Sequence, residues 1–103
     1  MSVLLEFAMF PTDKGESISP YVSKVIQMIR ESGASYQLTA MGTIIETETL
    51  PEALALVQQS YDVLEPDCDR VYSSLKFDIR KGKSKCLTQK IKSVESIIGE
   101  VHK

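Results

Sequence analysis

The sequence predicts an α+β domain built on a four-stranded antiparallel sheet. Three observations carry that expectation. Short apolar runs alternate at strand period, and two segments between them have apolar residues at helical spacing. The pieces follow one another as strand, helix, strand, strand, helix, strand, with a further amphipathic segment behind them. A lone glycine, Gly42, separates two short β-rich runs that read as a hairpin.

Val3 to Phe10 is the first strand. Val3, Leu5, Phe7 and Met9 lie on one face and Leu4, Glu6, Ala8 and Phe10 on the other. Both faces are largely apolar, which points to cover on both sides. Pro11 to Glu16 is a turn-rich loop. Ser19-Pro20 then opens a helix, with serine as the expected N-cap and proline in the first turn. Tyr21, Val22, Val25, Ile26 and Ile29 form its stripe, and Gly33 stops it. Tyr36 to Met41 and Thr43 to Thr47 are the second and third strands. Thr49 with Glu52 three residues on is a capping box. The helix it opens has the stripe Leu50, Ala53, Leu54, Val57, Tyr61 and Leu64, and Pro66 ends it. Val71 to Ile79 is the fourth strand, followed by the basic turn Arg80 to Lys85. Leu87, Ile91, Val94, Ile98 and Val101 give a last amphipathic helix.

This order is the split βαβ, or ferredoxin-like, arrangement, βαββαβ with a C-terminal helix. Right-handed crossovers then give a strand order of 4-1-3-2, with the first two helices on one face. The predicted helix-facing residues are Val3, Leu5, Phe7, Leu38, Ile45, Val71, Leu75 and Phe77. The other face carries Leu4, Glu6, Ala8, Gln37, Thr39, Ile44, Glu46, Tyr72, Ser74 and Lys76. That mixture is too apolar for a freely solvated sheet. It predicts stacking of sheets between identical subunits, with Lys76 pairing Glu6 or Glu46.

The bulk numbers bound the function. The 103 residues fit a single domain, 1–103. With 43% apolar and 25% charged residues, the composition is that of an ordinary soluble domain. A net charge of −2 gives no electrostatic case for nucleic acid or an anionic membrane. No apolar run approaches membrane-span length. The first residues lack a basic leader, so a cytoplasmic protein is expected, with Cys68 and Cys86 as reduced, idle thiols. The single histidine, His102, leaves no nucleophile–base pair to build, so a non-enzyme with no cofactor and no metal is expected.

Several segments together resemble a known family. They are Phe10-Pro11, Ser17-Ile18-Ser19 before Tyr21-Val22, Gly33, Tyr36, Met41-Gly42-Thr43 with Glu46, and Arg70-Val71-Tyr72-Ser73 with Lys76, Asp78 and Arg80. The family is that of the small ferredoxin-like thiamine-binding proteins, related to the YkoF-type hydroxymethylpyrimidine and thiamine binders. The resemblance spans about residues 3 to 98. It implies a homotetramer, a dimer of dimers by sheet stacking, that binds a thiamine-like small molecule near subunit contacts. One departure is local: members often have glycine after the motif glutamate, where this chain has Thr47 and Glu48.

Thiamine joins an aminopyrimidine to a thiazolium cation. A site for it needs a carboxylate, hydroxyl or backbone hydrogen-bonding groups, and soft or aromatic walls. Glu46 is the candidate carboxylate. Ser19, Thr39 and Thr43 are candidate hydroxyls, and Phe10, Tyr36, Met41 and Gly42 complete the expected site. Each has a plainer reading: Ser19 as a cap, Thr43 as a strand residue, Phe10 and Tyr36 as packing, Glu46 as an ion pair. The rival function is a structural or regulatory oligomer that needs no ligand.

Overall fold

A computed structural model describes residues 1–102. The strands are β1 (Ser2–Pro11), β2 (Ser35–Thr39), β3 (Gly42–Thr47) and β4 (Val71–Arg80). The helices are α1 (Ser19–Glu31), α2 (Leu50–Leu64) and α3 (Cys86–Ile98), with a 3-10 turn at Glu65–Asp67 after α2. All pairings are antiparallel and the order is β2-β3-β1-β4, the predicted 4-1-3-2 read from the other edge.

α1 and α2 pack on each other and over one sheet face. Val3, Leu5, Phe7, Ile45, Val25, Ile29, Ala53, Leu56 and Leu64 form the core there. The α2 stripe is rotated from its predicted setting. Ala53, Leu56, Ser60 and Leu64 are buried, whereas Leu54 and Tyr61 are exposed. The rotation puts the small residues Ala53 and Ser60 on the buried side, and Ser60 satisfies its hydroxyl by donating to the Leu56 carbonyl at 2.7 Å. Thr49 caps α2 as expected, accepting from the Glu52 N–H and donating to the Glu52 carboxylate at 2.7 Å. Ser19 is not a cap. It is the first residue of α1, Ile18 holds the cap position, and no side chain caps that helix.

The predicted burial of β4 and of Leu38 is not found. Leu75, Phe77 and Ile79 pair with Phe7, Leu5 and Val3 and so face the helix side, yet they remain 38–44% exposed. The helix pair sits over β1 and β3, so only Val71, at the start of β4, joins the core. Leu38, on the β2 edge, is 55% exposed for the same reason.

β2 stops at Thr39, short of the predicted Met41, and Ala40-Met41 make a two-residue loop. The Thr39 hydroxyl closes it, donating to the Gly42 carbonyl at 2.8 Å and accepting from the Met41 and Gly42 N–H groups. Gly42 is required by space: a Cβ there would lie 2.9 Å from the Phe7 carbonyl oxygen.

The opposite face is not bare. α3 turns back onto it and packs on β1 and β3. The remainder of that face carries Phe10 against Tyr72, with ring centroids 5.7 Å apart, and the exposed pair Lys76–Glu6 at 3.8 Å. Lys76 thus meets Glu6, directly across the β1–β4 ladder, and not Glu46.

Candidate functional site

Glu46 gathers three hydrogen bonds from distant parts of the chain. Its position in β3 aims it at the α3 side, opposite Leu4 and Ser35. It accepts hydrogen bonds from the Ser2 hydroxyl, from the Cys86 N–H at 2.8 Å and from the Leu87 N–H at 3.3 Å. Cys86 and Leu87 are the first two residues of α3, whose own N-cap, Lys85, offers no side-chain bond. The first N–H groups of a helix have no partner inside it, and an anion near them also meets the positive end of the helix dipole. Glu46 therefore caps a helix some 40 residues away. The sequence near α3 does not mark this: Ser84, a residue type that caps helices, stands one position too early, and the cap falls on Lys85.

Glu46 also forms part of the wall of an open cleft of about 940 Å³ at the end of the sheet where β1 starts and β3 stops. Glu48, Glu52 and Lys85 share that wall with hydroxyls of Ser32, Ser35 and Thr49. Three carboxylates outnumber the ammonium groups of Lys85 and Met1 there, which leaves the cleft net acidic. No cluster of three His, Cys, Asp or Glu groups that could hold a metal ion occurs among the described residues.

The other expected site residues lie elsewhere. Thr43 is buried on the helix side, paired with Phe7, and Tyr36 is half-buried on that same face beside Ile45. Phe10 stacks on Tyr72. Thr39, Met41 and Gly42 form the hairpin at the opposite end of β3 from Glu46, with Met41 89% exposed at its tip. Ser19 is exposed at the start of α1. Within one chain these seven are not gathered around Glu46, and the cleft wall has no aromatic ring. The residues missed from the sequence are Ser2, Glu48, Glu52 and Lys85; Glu48 lies two residues from Glu46, and the fold brings the other three to the same end of the sheet.

A second, smaller cavity of about 370 Å³ lies between α3 and the sheet. Of the two thiols, Cys68 is buried, and that burial pushes its pKa up, away from reactivity. Cys86 is partly accessible at the start of α3.

Residues 5–95 match the family model described as "Thiamine-binding protein". The chain belongs to the thiamine-binding protein family. Its relatives include a UPF0045 protein of Mycobacterium bovis, 37% identical over 95 residues, covering 92% of this chain and 93% of that one. A UPF0045 protein of Methanocaldococcus jannaschii is 36% identical over 92 residues, covering 89% and 91%. The crystal structure of that archaeal protein superposes with a TM-score of 0.81 at 34% identity, covering 93% of this chain and 98% of that one. A Thermotoga maritima structure shares the fold at a TM-score of 0.79 and 19% identity, covering 91% and 99%. The ferredoxin-like architecture is thus common to this family member and its solved neighbours.

Proposed function

We infer that this family member binds thiamine or a hydroxymethylpyrimidine-like cation without catalysing a reaction on it. The observation that carries the reading is the family match over residues 5–95. The Thermotoga maritima neighbour, itself proposed to act in thiamine biosynthesis or salvage, agrees with it. The acidic cleft supplies suitable chemistry. Glu48 and Glu52 would meet the thiazolium charge, and the Ser35 hydroxyl would meet a pyrimidine nitrogen; the Ser32 and Thr49 hydroxyls, whose protons go to the Ile29 carbonyl and the Glu52 carboxylate, would only accept from the amine. An aromatic wall would come from a neighbouring copy in a homo-oligomer, which fits an open cleft. Exposed Tyr72, Leu75, Phe77 and Ile79 on the long edge strand β4 favour such self-association. That same row is the observation behind the rival reading, an oligomer with no ligand.

Titration calorimetry with thiamine and hydroxymethylpyrimidine, with mass measured by light scattering, separates the two. Glu46→Gln alone is a poor probe, because it also loosens α3. Glu48→Gln and Glu52→Gln together are expected to weaken thiamine binding by about tenfold while the mass stays constant. Flat titrations with both ligands would leave the oligomer reading standing and remove the ligand.

A further inference from the structure

The cavity under α3 has a chemistry opposite to that of the acidic cleft. Its walls are Leu4 of β1, Ile44 of β3, the α3 residues Cys86, Leu87, Ile91 and Val94, and Val101. Two polar groups break this lining. One is Gln37 of β2, half-buried beneath the helix. The other is Lys90, which falls in the 87–91–94 stripe of α3 where helical spacing calls for an apolar residue. A lysine there lays its methylene stem along the apolar wall and keeps its ammonium at the mouth. Neither the Gln37 amide nor the Lys90 ammonium has a hydrogen-bond or ion-pair partner among the described residues. An apolar cavity with a few unspent polar groups converging on it is the general form of a small-molecule site.

We propose that this cavity binds a medium-chain aliphatic monocarboxylate, its chain between α3 and the sheet and its carboxylate on Lys90 and Gln37. The charge follows from Lys90, since a cation would be repelled and an anion gains a charge-assisted hydrogen bond. The Gln37 N–H₂ adds a second donor. The aliphatic body follows from the walls, which are leucine, isoleucine and valine with the single thiol of Cys86 and no aromatic ring. The size is limited by the space, about 370 Å³ and open to solvent at one side, which accommodates a single medium-length chain such as that of decanoate. Thiamine is excluded here by its sign, so the two cavities take different ligands, and this site does not depend on the thiamine reading.

Calorimetric titration of the full chain with decanoate, decylammonium and thiamine tests the site. Decanoate is expected to bind, and decylammonium to bind at least tenfold more weakly. Lys90→Met, at an exposed position, should weaken decanoate about tenfold. Val94→Trp should abolish it by filling the cavity; Val94 is 39% exposed, so the larger ring has room at the rim. Neither change should alter thiamine titrations. A flat decanoate titration overturns the proposal, as does equal binding of decylammonium. Insensitivity to Lys90→Met overturns it too, and that variant keeps the test valid if Val94→Trp fails to fold. A flat titration joined to a smaller mass for Val94→Trp in light scattering would assign the face to a second copy instead.

Discussion

Leu5 and Leu4 are neighbours on β1, and Ile45 and Glu46 are neighbours on β3, yet the two pairs live in different environments. Leu5 and Ile45 point under α1 and α2 and are fully buried among aliphatic side chains. Leu4 and Glu46 point under α3 and are only half-buried. The first face is closed by area alone: two helices with apolar stripes need no particular partner atom to sit on it. The second is closed by a single helix with no fully buried residue, fastened at one end by a carboxylate. The difference teaches that cover by burial and cover by a specific acceptor can share one sheet, and that the second kind is the more easily undone.

The contrast predicts a graded series of effects. Leu5→Ala should cost the most, about 2–5 kcal/mol in urea unfolding, because the void cannot be filled from solvent. Glu46→Ala should come next, at about 1–3 kcal/mol. Its signature is regional: the amides of α3 should lose hydrogen-exchange protection while those of α1 and α2 keep theirs. If both sets change together, the two faces are not separable and the comparison fails. Thr49→Ala removes the local cap of α2 and should cost about 1 kcal/mol, read by thermal melting. Lys76→Met breaks only the exposed pair with Glu6 and should shift stability by less than about 0.5 kcal/mol.

The smallest effect concerns Asp13 and acid. Its carboxylate accepts the Asp69 N–H at 2.8 Å, which holds its pKa below the usual value. Such a group stabilises the fold above the ordinary carboxylate range and loses that contribution as pH falls through the folded pKa. Asp13→Asn should therefore lower stability slightly at neutral pH and converge with the parent in acid, which flattens the acid limb of the pH–stability curve. A variant curve that parallels the parent below pH ~4 would contradict this assignment.

What was legible in the sequence was whatever depends on near neighbours. The alternation in β1 and the Thr49–Glu52 box are readable because their partners lie within a few residues, and strand order followed from connection rules. Legibility failed where distant parts meet. The exposure of Leu75, Phe77 and Ile79 depends on how far the helix pair reaches across the sheet. The rotation of α2 depends on which of its sides, here that of Ala53 and Ser60, meets α1 and the sheet. The role of Glu46 depends on where a segment some 40 residues later returns. The acidic cleft was invisible for the same reason, since Glu52 and Lys85 join Glu46 and its near neighbour Glu48 only through the fold.

A helix of 13 residues is marginal in water without tertiary help. Because α3 has no side-chain cap of its own, it depends on β3 holding its place beside β1. The native fold thus makes the stability of α3 conditional on the β1–β3 ladder. Stopped-flow refolding should show α3 gaining structure in step with, and never ahead of, the β1–β3 ladder.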